Sequence, residues 1–368
     1  RALARRVAAE DAAGPEEADH MVELLLQVAA RLCEAGGPEA DAVAAALGEA
    51  FGQPGAGCGR PARSGAADRR VFELVWNLAV AAGQAAAWQR CADMFEHAYA
   101  VAQRASWGGA SGPEGLKAAE ERQMCLVARM AALLHVARGA GGSDDSAASI
   151  YSRVVDAANH ARAAFECVSA LRRQQPYLGG DANTALSLIV VMEFEARAGL
   201  RDESLGAFVC EVAGKLDIPS RVYLMMSQLS LQAGDRDAGM HSLRYYLRVA
   251  ANAVAKGPGE SMEQFAMGLR ELVALHSSRN ESLGCFEEVL GLLRGAQWVA
   301  AAYPPGELQW LCAVAWGNSA HMFRAGDLDW AQRWCGMAIN FLDFCPAFAG
   351  YRPRMLDALS RCAPDPGE

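Results

Sequence analysis

Glu307 to Phe341 reads ELQWLCAVAWGNSAHMFRAGDLDWAQRWCGMAINF. Apolar residues recur at three-and-four spacing on both sides of Ala325-Gly326-Asp327, which is the pattern of two amphipathic helices joined by a tight turn. Gly326 has the conformational freedom to adopt the left-handed geometry that ends a helix, and the Asp327 carboxylate caps the free N–H groups of the next helix. The stretch therefore predicts a pair of helices folded against each other.

Small and large residues alternate in this hairpin as they do in tetratricopeptide repeats. The small positions, spaced by twelve and then seven residues, let two helix backbones approach closely, and they are Ser319, Ala331 and Ala338. Bulk is supplied by Trp310, Phe323 and Trp334. A single hairpin cannot bury its apolar face alone, so it predicts neighbouring hairpins in a stacked array. We expect an all-α fold, a tetratricopeptide-like helical-hairpin solenoid, which is typical of proteins that bind other proteins.

The same pattern recurs in weaker form elsewhere in the chain. In residues 70–103 the twelve-then-seven spacing falls on Ala79, Cys91 and Ala98. Farther on, turns at Gly199 and Gly234 lie 35 residues apart, close to the period of about 34 for this repeat class. Glu211 and Tyr246 occupy positions that the repeat usually keeps small. The repeats are therefore expected to be degenerate.

Glycine and proline divide the rest of the chain. We expect N-terminal helices within residues 1–51, a Gly/Pro-rich disordered loop over 52–68, the solenoid over 69–363 and a tail at 364–368. A closing helix over 352–362 would shield the open end of the array. The chain begins with Arg1 and not with Met, which is compatible with a fragment of a longer protein.

Composition narrows the class of partner. No uninterrupted apolar run reaches the roughly 18 to 20 residues that a membrane span requires, so we expect no membrane insertion. The net charge of −9 at pH 7 disfavours direct nucleic-acid binding, since phosphate neutralisation needs clustered Lys and Arg. Eleven cysteines are present without a C-x-x-C pair. Several lie in helical apolar patterns and are expected to be reduced core residues of a reducing compartment, namely Cys91, Cys125, Cys210, Cys312 and Cys335.

A search for catalytic or metal-binding patterns identifies no H-E-x-x-H, no G-x-S-x-G and no paired Cys/His cluster. Asp156 and His160 stand four residues apart, and we expect an ordinary surface hydrogen bond there, because a metal site needs three or four ligands. His135 and His321 lie in apolar helical patterns and are expected to be interior or groove histidines. The sequence therefore predicts no enzyme, no cofactor and no metal site.

Tryptophan is concentrated in the C-terminal hairpin. Four tryptophans crowd 25 residues, which exceeds what one hairpin core needs, and they are Trp310, Trp316, Trp330 and Trp334. Aromatic residues are enriched at binding hot spots. We expect Trp310 and Trp334 to belong to the core. Trp316 and Asn318 are the candidate partner-binding residues, because an Asn close to an aromatic residue can fix a peptide backbone inside a groove. We expect Asn318 to face solvent in that groove.

Three segments resemble the meiosis-specific tetratricopeptide-repeat proteins of the SPO-twenty-two/ZIP-four family. They are LVWNLAVAAGQAAAWQRCADMFEHA, the middle segment from NHARAAFECV to GAFVCEVA, and the C-terminal hairpin, within about Arg70 to Phe344. The resemblance implies a nuclear, chromosome-associated scaffold that links crossover-promoting recombination proteins to the synaptonemal complex. Family members carry an aromatic–Asn element in their C-terminal repeats, and the run that resembles it here is Ala315-Trp316-Gly317-Asn318.

Two other functions stay open at the level of sequence. One is a general tetratricopeptide adaptor that binds peptide segments of other proteins, and an adaptor for acidic tails would need a basic clamp in its groove. The other is a helical-toroid enzyme with a buried pocket, which would need clustered polar groups and a closed cavity. The leading hypothesis is a non-enzymatic protein-interaction scaffold in meiotic crossover formation and chromosome synapsis.

Overall fold

A computed structural model describes the chain over residues 65–104, 113–140, 144–174, 182–216, 218–256, 261–295 and 297–362. Within these ranges the chain is helical and contains no strand. The predicted all-α, tetratricopeptide-like solenoid of helical hairpins is confirmed, because neighbouring helices pack in pairs within each of two compact units. The expected N-terminal helices, most of the 52–68 loop and the 364–368 tail lie outside the described residues. The loop prediction is four residues too long, since the first described helix already begins at Gly65.

The described chain divides into two compact units with a boundary between Phe208 and Val209. The first unit contains α1 Gly65–Gln84, α2 Trp88–Arg104, α3 Pro113–Gly139, α4 Asp144–Gln174, α5 Ala182–Gly199 and the start of α6 Leu205–Lys215. The second contains the rest of α6, then α7 Ser220–Ala233, α8 Arg236–Lys256, α9 Met262–Leu275, α10 Arg279–Gly295, α11 Gln297–Ala302, α12 Pro305–Arg324, α13 Leu328–Phe341 and α14 Arg352–Cys362. Two short 3₁₀ turns, Leu342–Phe344 and Pro346–Tyr351, connect the last two helices.

The first unit is built around a large apolar core. Each of its helices α1 to α5 packs against the next, and α3 also contacts α5. The predicted small positions Ala79, Cys91 and Ala98 are all buried in this core. Beside them the ring of Trp76 meets that of Phe95 edge-on, with 5.2 Å between centroids. The first hairpin therefore follows the spacing that the sequence predicted.

A buried carboxylate lies within this unit. The Glu193 side chain is fully buried, and it pairs with Arg162 at 2.7 Å and Arg197 at 2.9 Å. A charge removed from water is costly unless it is paired, and two guanidinium groups supply that pairing. The carboxylate therefore joins α4 to α5.

The C-terminal hairpin, α12 and α13, has the predicted geometry. Gly326 is left-handed at φ +80°, and the Asp327 carboxylate accepts a hydrogen bond from the Trp330 N–H at 3.3 Å. The Ser319 hydroxyl donates to the Ala331 carbonyl at 2.8 Å, directly across the pair. Such a bond requires close backbones, which is the reason that small residues occupy these positions.

Aromatic rings pack around Phe286 of α10. Trp334 meets this ring edge-on at 5.1 Å between centroids, and Trp310 stacks on it at 6.3 Å. Trp334 is fully buried, as expected, while Trp310 is partly exposed at the edge of the core. The expectation that Phe323 supplies bulk is wrong, since its side chain is 45% exposed. It lies one residue before the last residue of α12, on the exposed face of that helix.

The degenerate positions are accommodated in two different ways. Glu211 lies on the surface and pairs with Lys215, so no close helix approach is required there. Tyr246 on α8 is buried, and the room for its ring comes from Gly268 on α9. A Cβ at Gly268 would lie 2.7 Å from the Tyr246 Cε1 atom. The small residue that the repeat needs has therefore moved to the neighbouring helix.

The sequence predicted the burial of most of the expected core cysteines. Four of the five expected core cysteines are buried, but Cys210 is exposed because it lies on the outer face of α6. None of the described helices combines the length and apolarity needed to cross a membrane.

Candidate functional site

Trp316 and Asn318 both lie on α12, but they leave it in different directions. Two residues along an α-helix correspond to a rotation of about 200°, so the side chains project from opposite flanks. Asn318 is only 8% exposed, and the expectation of a solvent-facing Asn is therefore wrong. Its flank of α12 faces the end of α9 and the start of α10 across a cleft. Trp316 is half-buried on the other flank.

Asn318 lines a cleft between α12 and the α9–α10 connection. We call it the Asn318 cleft, and its volume is about 470 Å³. One wall comes from α12 and the other from the end of α9 and the start of α10. The lining residues are Val273, His276, Ser277, Ser278, Arg279, Ser282, Val314, Asn318, His321 and Met322. The volume falls within the range of about 300 to 1,000 Å³ that is usual for ligand clefts.

Local hydrogen bonds fix the wall formed by the α9–α10 connection. The Ser278 hydroxyl accepts from the Glu281 N–H at 3.2 Å and so caps the start of α10. The Ser282 hydroxyl donates to the Arg279 carbonyl at 2.7 Å. At the end of α9, Nδ1 of His276 lies 2.7 Å from the Leu272 carbonyl. The backbone that faces the cleft is therefore held by its own side chains before any ligand arrives.

A second set of contacts fixes α12 against α9. The Arg270 guanidinium stacks on the Trp310 ring at 4.6 Å from its centroid. It also forms two hydrogen bonds to the Glu307 carboxylate, at 2.9 and 3.1 Å. A two-pronged pair backed by an aromatic ring is geometrically specific. It therefore links α9 to α12 beside the cleft.

The Asn318 cleft is cationic and has unused hydrogen-bonding capacity. No Asp or Glu is among its lining residues. The guanidinium of Arg279 is exposed and pairs with no carboxylate of the described chain. Asn318 is more than nine-tenths buried, yet no described residue hydrogen-bonds its carboxamide. Both amide atoms still meet solvent in the cleft, so a ligand that bonds the carboxamide takes the place of water there.

A larger and more apolar groove lies in the same unit. It occupies about 600 Å³ between α8 and α10, with Phe265, Leu269 and Leu272 of α9 at its base. Arg244 and Arg248 line one edge, whereas Glu281 and Glu288 line the other. Because these charges are mixed, this α8–α10 groove favours no single sign of ligand.

An exposed surface crosses from α9 to α12 near the Asn318 cleft. Met267 is 59% exposed, and Arg270 follows it by three residues on the same helix face. Arg270 in turn carries the partly exposed Trp310 ring. We call these three residues the Met267 patch. Methionine, arginine and tryptophan are enriched in protein interfaces, so the patch has the composition of a contact surface.

Among the other candidate residues predicted from the sequence, His321 lies at this site and the rest lie apart from it. His321 lines the Asn318 cleft, as expected for a groove histidine. His135 is exposed and stacks on the Trp88 ring at 4.1 Å, so its placement in the interior is wrong. Asp156 and His160 are both exposed on α4, and the expected hydrogen bond between them is not formed. No group of three metal-ligating side chains occurs in the part of the chain that the structure describes.

Sequence reasoning missed Arg279 and the rest of the α9–α10 wall. The run Ser277-Ser278-Arg279-Asn280 is typical of a helix start, and nothing in it indicates a ligand. It lies about 40 residues from Asn318, so only the tertiary fold brings the two together. In a comparison with known protein families, no family model matches this sequence.

Proposed function

We propose that this chain is a non-enzymatic protein-interaction scaffold that acts in meiotic crossover formation and chromosome synapsis. The observation that carries the interaction part is the Met267 patch. It combines a flexible thioether, a guanidinium and an indole on two adjacent helices. These side chains adapt to a partner surface, and truncating an aromatic anchor of this kind costs about 2 kcal/mol or more of binding.

The biological setting in this proposal comes from the family resemblance of the three segments. It supplies the partners, which are crossover-promoting recombination proteins and synaptonemal-complex proteins, and the location, which is the chromosome in the nucleus. The exposed apolar and aromatic residues support a protein as the partner. The negative net charge of −9 supports the view that contact with DNA is indirect.

The test uses the full chain in cells that undergo meiosis. A tagged chain is expected on chromosomes in meiotic prophase and to co-purify with synaptonemal-complex proteins. Met267→Glu places a charge in the patch and is expected to reduce that co-purification at least ten-fold. Met225→Glu is the matched control, since Met225 is a methionine on α7, outside the patch, and is 47% exposed. Equal losses in both variants would refute the patch.

Trp316→Ala tests the contact that was predicted from the sequence separately from the Met267 patch. If Trp316 contacts the partner, its truncation weakens binding by about 2 kcal/mol, or about thirty-fold, while the thermal melt stays close to that of the parent. Unchanged binding would remove Trp316 from the interface. Presence of the protein in all growing cells, without enrichment in meiotic prophase, would contradict the meiotic role.

One observation favours a second candidate function, a general adaptor for peptide segments. Such an adaptor for acidic tails needs a basic group in its groove, and Arg279 supplies one in the Asn318 cleft. Expression in non-dividing or mitotic cells, together with binding of acidic peptides from unrelated proteins, would favour this candidate over the meiotic scaffold.

A further inference from the structure

We propose that the Asn318 cleft binds an acidic peptide segment of a partner protein, with a carboxylate on Arg279 and the peptide backbone on Asn318. This inference rests on the proposed function, namely that the chain binds proteins. It adds the location and the chemistry of one binding site. The first support is the carboxamide of Asn318, which lines the cleft and hydrogen-bonds no described residue.

A carboxamide offers both a donor and an acceptor, which match the C=O and N–H groups of a peptide bond. An apolar ligand would leave both groups unsatisfied, at a cost of about 1 to 3 kcal/mol for a buried polar group. A peptide therefore suits the position better than a lipid chain or an aliphatic molecule does. Val273, Val314 and Met322 line the same cleft and provide apolar contact for a neighbouring side chain.

The sign of the ligand follows from the charges around it. Arg279 places a permanent positive charge at the cleft, and no lining residue carries a negative one. Arginine binds carboxylates through two parallel N–H···O bonds. The α10 N-terminus begins at this same residue, and its backbone N–H groups also favour an anion. This helix end is a secondary contribution, whereas the unsatisfied Asn318 amide is independent of it.

The magnitude of the charge favours a carboxylate over a phosphate. One guanidinium matches one carboxylate, whereas a phosphate group carries about −1.5 to −2 charges at pH 7 and is usually held by a cluster of arginines. The two histidines, His276 and His321, add hydrogen-bonding groups to the walls. His276 already makes contacts at both ring nitrogens, to the Leu272 carbonyl and to Arg244. His321 is exposed, and its imidazole makes no hydrogen bond to a described residue.

The binding test uses the full chain and a fluorescein-labelled hexaglutamate peptide, followed by fluorescence anisotropy. Hexaglutamine of the same length is the neutral control, and a singly phosphorylated serine peptide is the phosphate arm. We expect saturable binding of hexaglutamate, at least ten-fold tighter than that of hexaglutamine. Affinity is also expected to fall as salt is raised, because a charge pair contributes to binding. Preference for the phosphorylated peptide, or no binding of hexaglutamate, would overturn the proposal.

Two variants locate the site. Arg279→Gln removes the charge at an exposed position and is expected to weaken hexaglutamate binding at least five-fold. Arg248→Gln removes the same charge from the α8–α10 groove and is expected to leave binding within two-fold. Asn318→Asp is isosteric but adds a negative charge, and it is expected to weaken binding at least ten-fold. Equal behaviour of Arg279→Gln and Arg248→Gln would overturn the assignment, even where Asn318→Asp fails to fold.

Failure of the acidic-segment proposal can be distinguished experimentally from failure of the scaffold function. If hexaglutamate does not bind but the Met267→Glu variant still loses the meiotic partners, the scaffold proposal stands and the acidic-segment proposal falls. If hexaglutamate binds at Arg279 but no synaptonemal-complex protein co-purifies, the cleft assignment stands without the meiotic role.

Discussion

The packing of Tyr246 against Gly268 gives a prediction in which two opposing effects have known sizes. Gly268 lies in the middle of α9, where replacing Gly by Ala normally stabilises a helix by about 1 kcal/mol. A Cβ there would lie 2.7 Å from Tyr246 Cε1 and 3.1 Å from Cδ1. Tyr246 is buried and its ring has no open space to enter. Overpacking of this kind costs about 1 to 3 kcal/mol.

The sum of these effects makes Gly268→Ala destabilising by up to about 2 kcal/mol. The matched control is Gly284→Ala, since Gly284 lies inside α10 and a Cβ there meets nothing within 4 Å. The control is expected to gain about 0.5 to 1 kcal/mol. The two substitutions are chemically identical, so their difference of about 1 to 3 kcal/mol isolates the contact with Tyr246.

The assay is urea denaturation followed by circular dichroism, with hydrogen exchange of α8 and α9 to report on this unit alone. A double-mutant cycle with Tyr246→Leu tests the cause, because a smaller side chain makes room for the new methyl group. In the Tyr246→Leu background, Gly268→Ala should lower the free energy of unfolding by less than it does in the parent protein. Stabilisation of Gly268→Ala equal to that of Gly284→Ala, or no coupling in the cycle, would refute the reasoning.

Three further predictions concern the cores of the two units. Ala331→Leu should lower stability by about 1 to 3 kcal/mol, because it overpacks the approach of α12 and α13, and an unchanged thermal melt would contradict that approach. Glu193→Gln should cost about 3 kcal/mol by leaving two arginines without their buried carboxylate, whereas Glu211→Gln in the exposed pair with Lys215 should cost under about 1 kcal/mol in the same melt. Burial raises the pKa of the Cys125 thiol to about 12, so it stays protonated at pH 8.5, far below that value. Iodoacetamide at that pH should label exposed Cys210 in the native protein and Cys125 only after urea unfolding, as mass spectrometry would detect.

The hairpin of α12 and α13 was predictable from its sequence because its determinants are local. Gly326 and Asp327 specify the turn within a few residues, and the twelve-then-seven spacing of small residues follows from helix geometry alone. The same logic located the all-α fold and the hairpin of α1 and α2. It was less successful for single side chains such as Phe323 and Cys210, because helix periodicity marks an apolar face but not its edges.

The candidate site depended on tertiary structure. The sequence identified Asn318 but expected it in solvent and grouped it with Trp316, whereas the structure places Asn318 in a cleft opposite the α9–α10 connection and Trp316 on the other flank of α12. Arg279 and His276 join the same cleft from a segment that carries no local signal of binding. Gly268 makes room for Tyr246 only because α8 and α9 are neighbours. Turns and periodicity are properties of adjacent residues, so the sequence determined them, while the composition of a cleft is set by which distant residues meet when the helices pack.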